Sequence, residues 1–114
     1  MTTRNNTLYI EDILTSIKKI LRYTEGMSFD AFLKNEIVID AVIRNLEIIG
    51  EAAKKIPEDI KNSNSDIPWK RMIGLRNIVV HEYFGIDFEI IWQIATKNLP
   101  SLKPLITDLF KKYV

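Results

Sequence analysis

The sequence predicts an all-α protein, an antiparallel bundle of four to five helices, and two observations predict it. Apolar residues recur three or four positions apart almost throughout the 114 residues, and no segment alternates as a half-buried strand does. Glycines, prolines and capping residues divide this pattern into segments with short connections, as in a helical bundle. The length is typical of one domain, so we expect a single helical domain over residues 1–114.

The first half of the chain predicts two helical regions. One covers about Tyr9–Tyr23, ends before Gly26, and is followed by Ser28 as a suitable cap for the next region. The second region extends to about Ile56, because Pro57 stops it. Its polar side chains fall within one arc of roughly 100°, and the rest of its circumference is apolar. These six positions are Glu36, Asp40, Arg44, Glu47, Glu51 and Lys55.

The polar arc of the second region allows two interpretations. It is the solvated face of the central helix of the bundle, which is the simpler explanation. Alternatively, Arg44, Glu47 and Glu51 also support a polar cleft.

The second half of the chain predicts further helices after a polar connection, EDIKNSNSD, in which one short helical turn could form. Asp66 is expected to cap a helix with Pro68 in its first turn, and this helix ends near His81. Asp87 caps the following helix, and Pro100 breaks or kinks it before a last helical segment.

Composition and charge exclude several classes of protein. The chain has no cysteine, which excludes thiol nucleophiles and disulfides and indicates a reducing cytoplasm. The first residues lack the pattern of a signal peptide, and no apolar run is long enough to cross a membrane. The net charge is +1, which weighs mildly against a dedicated nucleic-acid binder.

The run GLRNIVVHEYF carries the strongest candidates for chemistry. It holds His81, the chain's one histidine, five residues after Arg76. A histidine transfers protons near neutral pH, and an arginine offers a planar fork to phosphate oxygens. Together they suit a phosphodiester, where a hydroxyl loses a proton and negative charge grows on the phosphoryl oxygens.

The spacing of Arg76 and His81 restricts how they could cooperate. Five helical steps separate two positions by about 140°, so a straight helix does not pair them. They converge only if the helix ends or unwinds before His81, or if a second subunit completes the site. RNA cleavage without a metal commonly needs one group to accept a proton and another to donate one. The single histidine therefore favours a homodimer if the protein is a nuclease.

Other kinds of site lack their sequence signals. One histidine and no cysteine leave only carboxylates for a metal, and no Glu-x-x-His or EF-hand spacing is present. No glycine-rich phosphate loop occurs, and no serine nucleophile can be assembled next to His81. We therefore expect no metal and no cofactor.

Two blocks of the sequence resemble a known family. The segment PWKRMIGLRNIVVHEYFGIDFEIIWQIATKNLPSLKPLI is similar to the signature of the HepT-like branch of the HEPN domain proteins. The segment AVIRNLEIIGEAAKKI resembles that branch's second block, with Arg44, Gly50 and Glu51 at the expected places. The resemblance covers essentially the whole chain, and the order of both blocks makes it specific.

The resemblance implies a function and a means of control. HEPN domains are usually dimeric helical bundles, and many are metal-independent endoribonucleases that use the arginine and histidine of both protomers, here Arg76 and His81. HepT-like proteins are toxins of prokaryotic toxin–antitoxin pairs. Their antitoxin is an MNT-type nucleotidyltransferase that transfers AMP to the motif tyrosine, here Tyr83. Asn77 could orient Arg76 or the scissile phosphate, or make a structural hydrogen bond.

Two alternatives remain open from the sequence. The protein could be a non-catalytic HEPN module that acts as the scaffold or substrate-recruiting partner of the nucleotidyltransferase, which the near-neutral charge favours. It could also be a structural helical dimer without a nucleic-acid role.

Overall fold

The computed structural model describes residues 4–81 and 87–114, and the side-chain surroundings of residues 6–77 and 87–114. Every regular element in these ranges is helical, which confirms the predicted all-α class. The helices are α1 (Arg4–Thr24), α2 (Phe29–Leu33), α3 (Glu36–Lys55), α4 (Glu58–Ser63), α5 (Trp69–His81), α6 (Phe88–Gln93), a π-helical segment (Ile94–Asn98) and α7 (Leu99–Tyr113).

The boundary between α1 and α2 follows from the residues predicted to form it. Gly26 adopts a φ of 74°, in the left-handed region that glycine enters without a steric penalty, and α1 ends two residues earlier. The Ser28 side chain then accepts a hydrogen bond from the Ala31 amide at 3.1 Å. Ser28 thereby satisfies one of the free amides at the start of α2.

The predicted second helical region is in fact two helices. α2 ends at Leu33, and α3 begins only after Asn35, whose side chain accepts a hydrogen bond from the Val38 amide at 3.1 Å. Asparagine competes for backbone groups in this way, and it starts a new helix where apolar periodicity alone suggests continuity.

The connection from α3 to α5 contains the short helical segment that the sequence suggested, as the six-residue helix α4. Ile56 is extended, Pro57 precedes α4, and Ile60 of α4 is buried in the core. The expectation that Asp66 caps the next helix, with Pro68 in its first turn, is wrong, because α5 begins at Trp69. A cap must directly precede the first helical residue, and Asp66 lies too early in the chain.

Pro100 distorts the last helical region without ending it. Asp87 caps α6 as predicted, since its side chain accepts a hydrogen bond from the Glu89 amide at 3.0 Å. A proline ring at position 100 would clash with the carbonyl of Thr96 in a regular α-helix. The chain instead widens into the π-helical segment, in which the Leu99 amide bonds the Ile94 carbonyl, and continues as α7.

The bundle is antiparallel, as contacts at one of its ends establish. Near the start of α1, Thr7 Oγ1 donates to the Tyr113 carbonyl of α7 at 3.1 Å. Lys55, the last residue of α3, lies over the ring of Tyr9, 5.6 Å from its centroid. Just before α5, the Asn64 side chain accepts a hydrogen bond from Lys112 Nζ of α7 at 2.9 Å. We call this end of the bundle the terminal end.

The core lies between the long helices. α1 packs against both α3 and α7, and α3 packs against α5. α2 and α6 close one side of the core, where the rings of Phe32 and Trp92 lie 5.0 Å apart. Side chains without measurable exposure include Ile10, Ile13, Ile17, Ile20, Phe32, Val42, Leu46, Ile49, Ala53, Ala95 and Ile106.

The six polar positions predicted on one arc of α3 are all at least partly exposed.

Within residues 4–81 and 87–114, no helix is both long and apolar enough to cross a bilayer.

Candidate active site

Arg76 lies where α5 packs against α3, and an ion pair joins it to that helix. Its Nε atom is 3.5 Å from Glu51 Oε1, and the two side chains are 46% and 50% exposed. An ion pair this exposed contributes about 0–1 kcal/mol to stability. Its main effect is therefore to orient a guanidinium that still reaches solvent, where an anion could bind it.

Gly50 permits the close approach of the two helices beside this ion pair. A Cβ atom at position 50 would lie 2.8 Å from the Arg76 backbone nitrogen and 3.0 Å from Arg76 Cβ. It would also lie 3.2 Å from the Met72 carbonyl oxygen. Periodicity does not reveal this steric role. The signals in the sequence are a glycine inside a helix, where alanine would be favoured, and its place in the block that resembles the family.

The two other residues suggested as cleft support form a separate pair. Arg44 Nη1 is 2.9 Å from Glu47 Oε1, one turn apart on α3, with the Arg44 side chain 68% exposed. Glu51 follows Arg44 by seven residues, or roughly 10 Å along the helix axis. Of the three candidates on α3, the structure brings Glu51 to Arg76 and leaves Arg44 with Glu47.

His81 belongs to the same continuous helix as Arg76. α5 is helical from Trp69 to His81, so positions 76 and 81 differ by about 140° around the axis and about 7.5 Å along it. The alternative in which the helix ends or unwinds before His81 is therefore wrong. The His81 side chain and the whole of Tyr83 lie outside the described residues.

Two faces of α5 can be distinguished. The inner face, Met72 and Arg76, packs on α3. The outer face, Lys70, Gly74 and Asn77, spans an arc of roughly 60° that also includes position 81. Lys70 and Asn77 are exposed, and a Cβ added at Gly74 would find no atom of the described chain within 4 Å.

A groove of about 670 Å³ borders α5 on the side of α7. Neither Arg76 nor Glu51 lines it, so it is separate from the ion pair. Within the described ranges, no group of three or more histidine, aspartate or glutamate side chains is placed to hold a metal ion. The groove is lined by Asp66, Pro68, Arg71, Met72, Gly74, Leu75, Ile94, Asn98, Leu99, Ser101, Leu102 and Leu105.

Comparison with known proteins gives consistent matches. Residues 13–109 match the model of the ribonuclease HepT-like family. A candidate RNase of Methanocaldococcus jannaschii is 45% identical over 103 residues, which cover 90% of this chain and 85% of the relative. The protein named Probable ribonuclease HepT, from Thermococcus cleftensis, is 42% identical over 108 residues, or 95% of this chain and 98% of the relative. No solved structure gave a significant match.

Proposed function

The chain belongs to the ribonuclease HepT-like family, and on that premise we propose that it is a metal-independent endoribonuclease toxin of a prokaryotic toxin–antitoxin pair. Membership confirms the family and the enzyme class that the sequence predicted. In this proposal residues 1–114 form one HEPN-type domain that acts on RNA in the cytoplasm as a homodimer. Arg76 and His81 are its catalytic residues.

The observation that carries the shared site is the continuity of α5 through His81. In a regular helix positions 76 and 81 differ by about 140°, which supports a site where the two residues at one phosphate come from different subunits. A two-fold axis would place two copies of each position around a common cleft. The proposed site therefore consists of residues from both subunits.

The proposed reaction needs only these side chains. The 2′-oxygen of a ribose bonds to the neighbouring phosphorus, and the bond from phosphorus to the 5′-oxygen breaks. One His81 imidazole accepts the proton of the 2′-hydroxyl, and an imidazolium, supplied by the other subunit, donates a proton to the departing oxygen. Arg76 stabilises the negative charge on the phosphoryl oxygens, which a half-exposed guanidinium can reach.

Residues around Arg76 have supporting roles in this proposal. Glu51 holds the guanidinium until a phosphate competes with its carboxylate for the same N–H groups. Asn77, exposed on α5, orients Arg76 or the scissile phosphate. Arg44, on the polar arc of α3, offers its guanidinium to a phosphate of an RNA strand that extends beyond the cleft. Glu47 orients that guanidinium through their ion pair.

Control of the enzyme is proposed to act through Tyr83. The MNT-type nucleotidyltransferase antitoxin would transfer AMP to its phenol, which follows His81 by two residues. The added phosphate carries negative charge, so it would occupy the anion site of Arg76 and repel RNA. Intact-mass measurement after co-expression with the partner should show an adduct of AMP mass on wild-type protein and none on Tyr83→Phe. An adduct on both proteins would place the modification elsewhere.

The decisive experiment measures RNA cleavage by purified protein with a chelator present. We expect Arg76→Ala to lower the rate by about 10²–10³-fold, because it removes a donor to the transition state. His81→Ala should lower it by about 10²–10⁴-fold, because it removes proton transfer. Arg71→Ala is the matched control, since it removes an exposed arginine from another face of α5. A protein lacking both Arg76 and His81 that cuts RNA at the wild-type rate would disprove the assignment.

The net charge of +1 favours one alternative function. A non-catalytic module that recruits or scaffolds a nucleotidyltransferase needs no basic surface. Both functions predict a complex with that partner, so binding does not separate them. RNA cleavage by the isolated protein does, because the scaffold would have none.

A further inference from the structure

Gly50 occupies a position where a helix normally avoids glycine. It lies inside α3, is buried, and is flanked by helical residues on both sides. Glycine has more conformational freedom to lose on folding than alanine, so it weakens a helix interior. A local requirement of the backbone does not explain the residue, because among the described glycines only Gly26 has a positive φ.

The atoms around Gly50 explain why this position of α3 is a glycine. The nearest atoms to an added Cβ are the backbone nitrogen and Cβ of Arg76 and the carbonyl oxygen of Met72. Two of the three are backbone atoms of α5, which cannot rotate away as the end of a long side chain can. A larger residue must therefore move α5 itself, at the turn from which the Arg76 side chain extends.

We infer that Gly50 is a positioning residue for Arg76. It sets the distance between α3 and α5 at the arginine, while the adjacent Glu51 holds the guanidinium. Gly50 thus sets the position of the Arg76 backbone, and Glu51 sets the position of the Arg76 guanidinium. This inference rests on the proposed function, in which Arg76 meets the scissile phosphate.

The matched pair of variants is Gly50→Ala and Gly74→Ala. Each adds one methyl group to a helical glycine. The methyl group at position 50 contacts Arg76, whereas the methyl group at position 74 has no described atom within 4 Å. Displacements of about 1 Å can slow an enzyme by about 10²-fold. We therefore expect Gly50→Ala to lower kcat for RNA cleavage by about 10- to 100-fold, with KM changed much less. Gly74→Ala should leave both constants unchanged.

A second readout does not depend on activity. The Arg76 Nε–H resonance, assigned by its absence in Arg76→Lys, reports the surroundings of the guanidinium by NMR. It should shift in Gly50→Ala and stay in place in Gly74→Ala. Circular dichroism and sedimentation serve as controls, because they test whether the folded fraction and the assembly state of both variants match those of the wild type.

The outcomes separate the inference from the proposed function. If the Arg76 resonance shifts only in Gly50→Ala but wild-type protein does not cut RNA, the positioning role stands and the ribonuclease proposal fails. A folded Gly50→Ala with wild-type kcat and an unmoved Arg76 resonance overturns the inference. If Gly50→Ala does not fold, the change is repeated in the Gly74→Ala background, whose higher helix propensity favours folding. Failure there as well would make Gly50 a packing residue only, which also overturns the inference.

Discussion

The inner and outer faces of α5 differ in how closely the rest of the chain packs against them. On the inner face Met72 is 2% exposed, and α3 approaches so closely that only glycine fits at position 50. On the outer face Lys70 and Asn77 are exposed, and Gly74 has open space beside it. The chain therefore packs tightly against the backbone of α5 at Arg76, whereas the described residues leave the opposite side of the same helix uncovered.

This contrast suggests how the proposed site is divided between the two subunits. Arg76 extends from the face that its own subunit holds in place, and position 81 belongs to the arc of the uncovered face. In the proposed dimer, each subunit can prepare its arginine alone but needs the second copy to bring a histidine to it. The contrast can be tested from both sides.

The largest effect is expected when Arg76 and His81 come from different subunits of one dimer. Arg76→Ala and His81→Ala should each be nearly inactive, but their heterodimer retains one arginine and one histidine in a common cleft. After unfolding and refolding the two variants together, we expect cleavage about 10²-fold above His81→Ala alone, whose cleft has no histidine, and below the wild type, whose cleft has two. His81→Ala refolded with itself is the control. A mixture that sediments as a dimer but cuts RNA no faster than this control would contradict a cleft shared by two subunits.

A smaller effect, on stability, is expected from truncation of the inner face. Met72→Ala truncates a buried core side chain of α5 and should lower the free energy of unfolding by roughly 2–5 kcal/mol. Arg71→Ala, its exposed neighbour, should change that free energy by less than about 0.5 kcal/mol. Urea denaturation followed by circular dichroism measures both values. Equal losses for the two variants would contradict the contrast between packed and exposed positions of α5.

The smallest effect is expected at Gly74. Alanine is favoured over glycine in a helix interior, so Gly74→Ala should raise the free energy of unfolding by up to about 1 kcal/mol. This corresponds to a rise in Tm of roughly 4–8 °C for a domain of this size. A lower Tm, or dissociation of the dimer in sedimentation, would mean that a second chain covers the outer face too closely for a methyl group.

Local side-chain chemistry made several parts of the fold predictable. Ser28 and Asp87 were identified as caps, because capping depends on amides two or three residues away in the chain. The same reasoning failed for Asp66, since Pro68 delays the start of α5. The break at Asn35 was missed, because apolar residues on both sides keep the spacing of one continuous helix.

The site was predictable only where its residues are close in sequence. Arg76 and His81 belong to one short motif, and their angular separation follows from helix geometry alone. The contact between Glu51 and Arg76 joins different helices, so the sequence could name both residues but not pair them. The steric role of Gly50 depends on the distance between two helix axes, which no pattern within one helix encodes.

The contacts at the terminal end have a practical consequence for all of these experiments. Thr7 bonds Tyr113 there, and Lys112 bonds Asn64 just before α5 begins. α5 then runs from this end for about 18 Å to His81. A fluorophore or surface linker placed at this end would thus lie about one helix length from position 81, but only about 10 Å along the helix axis from Arg76. An attachment at this end should therefore be a small group that leaves Arg76 open to RNA.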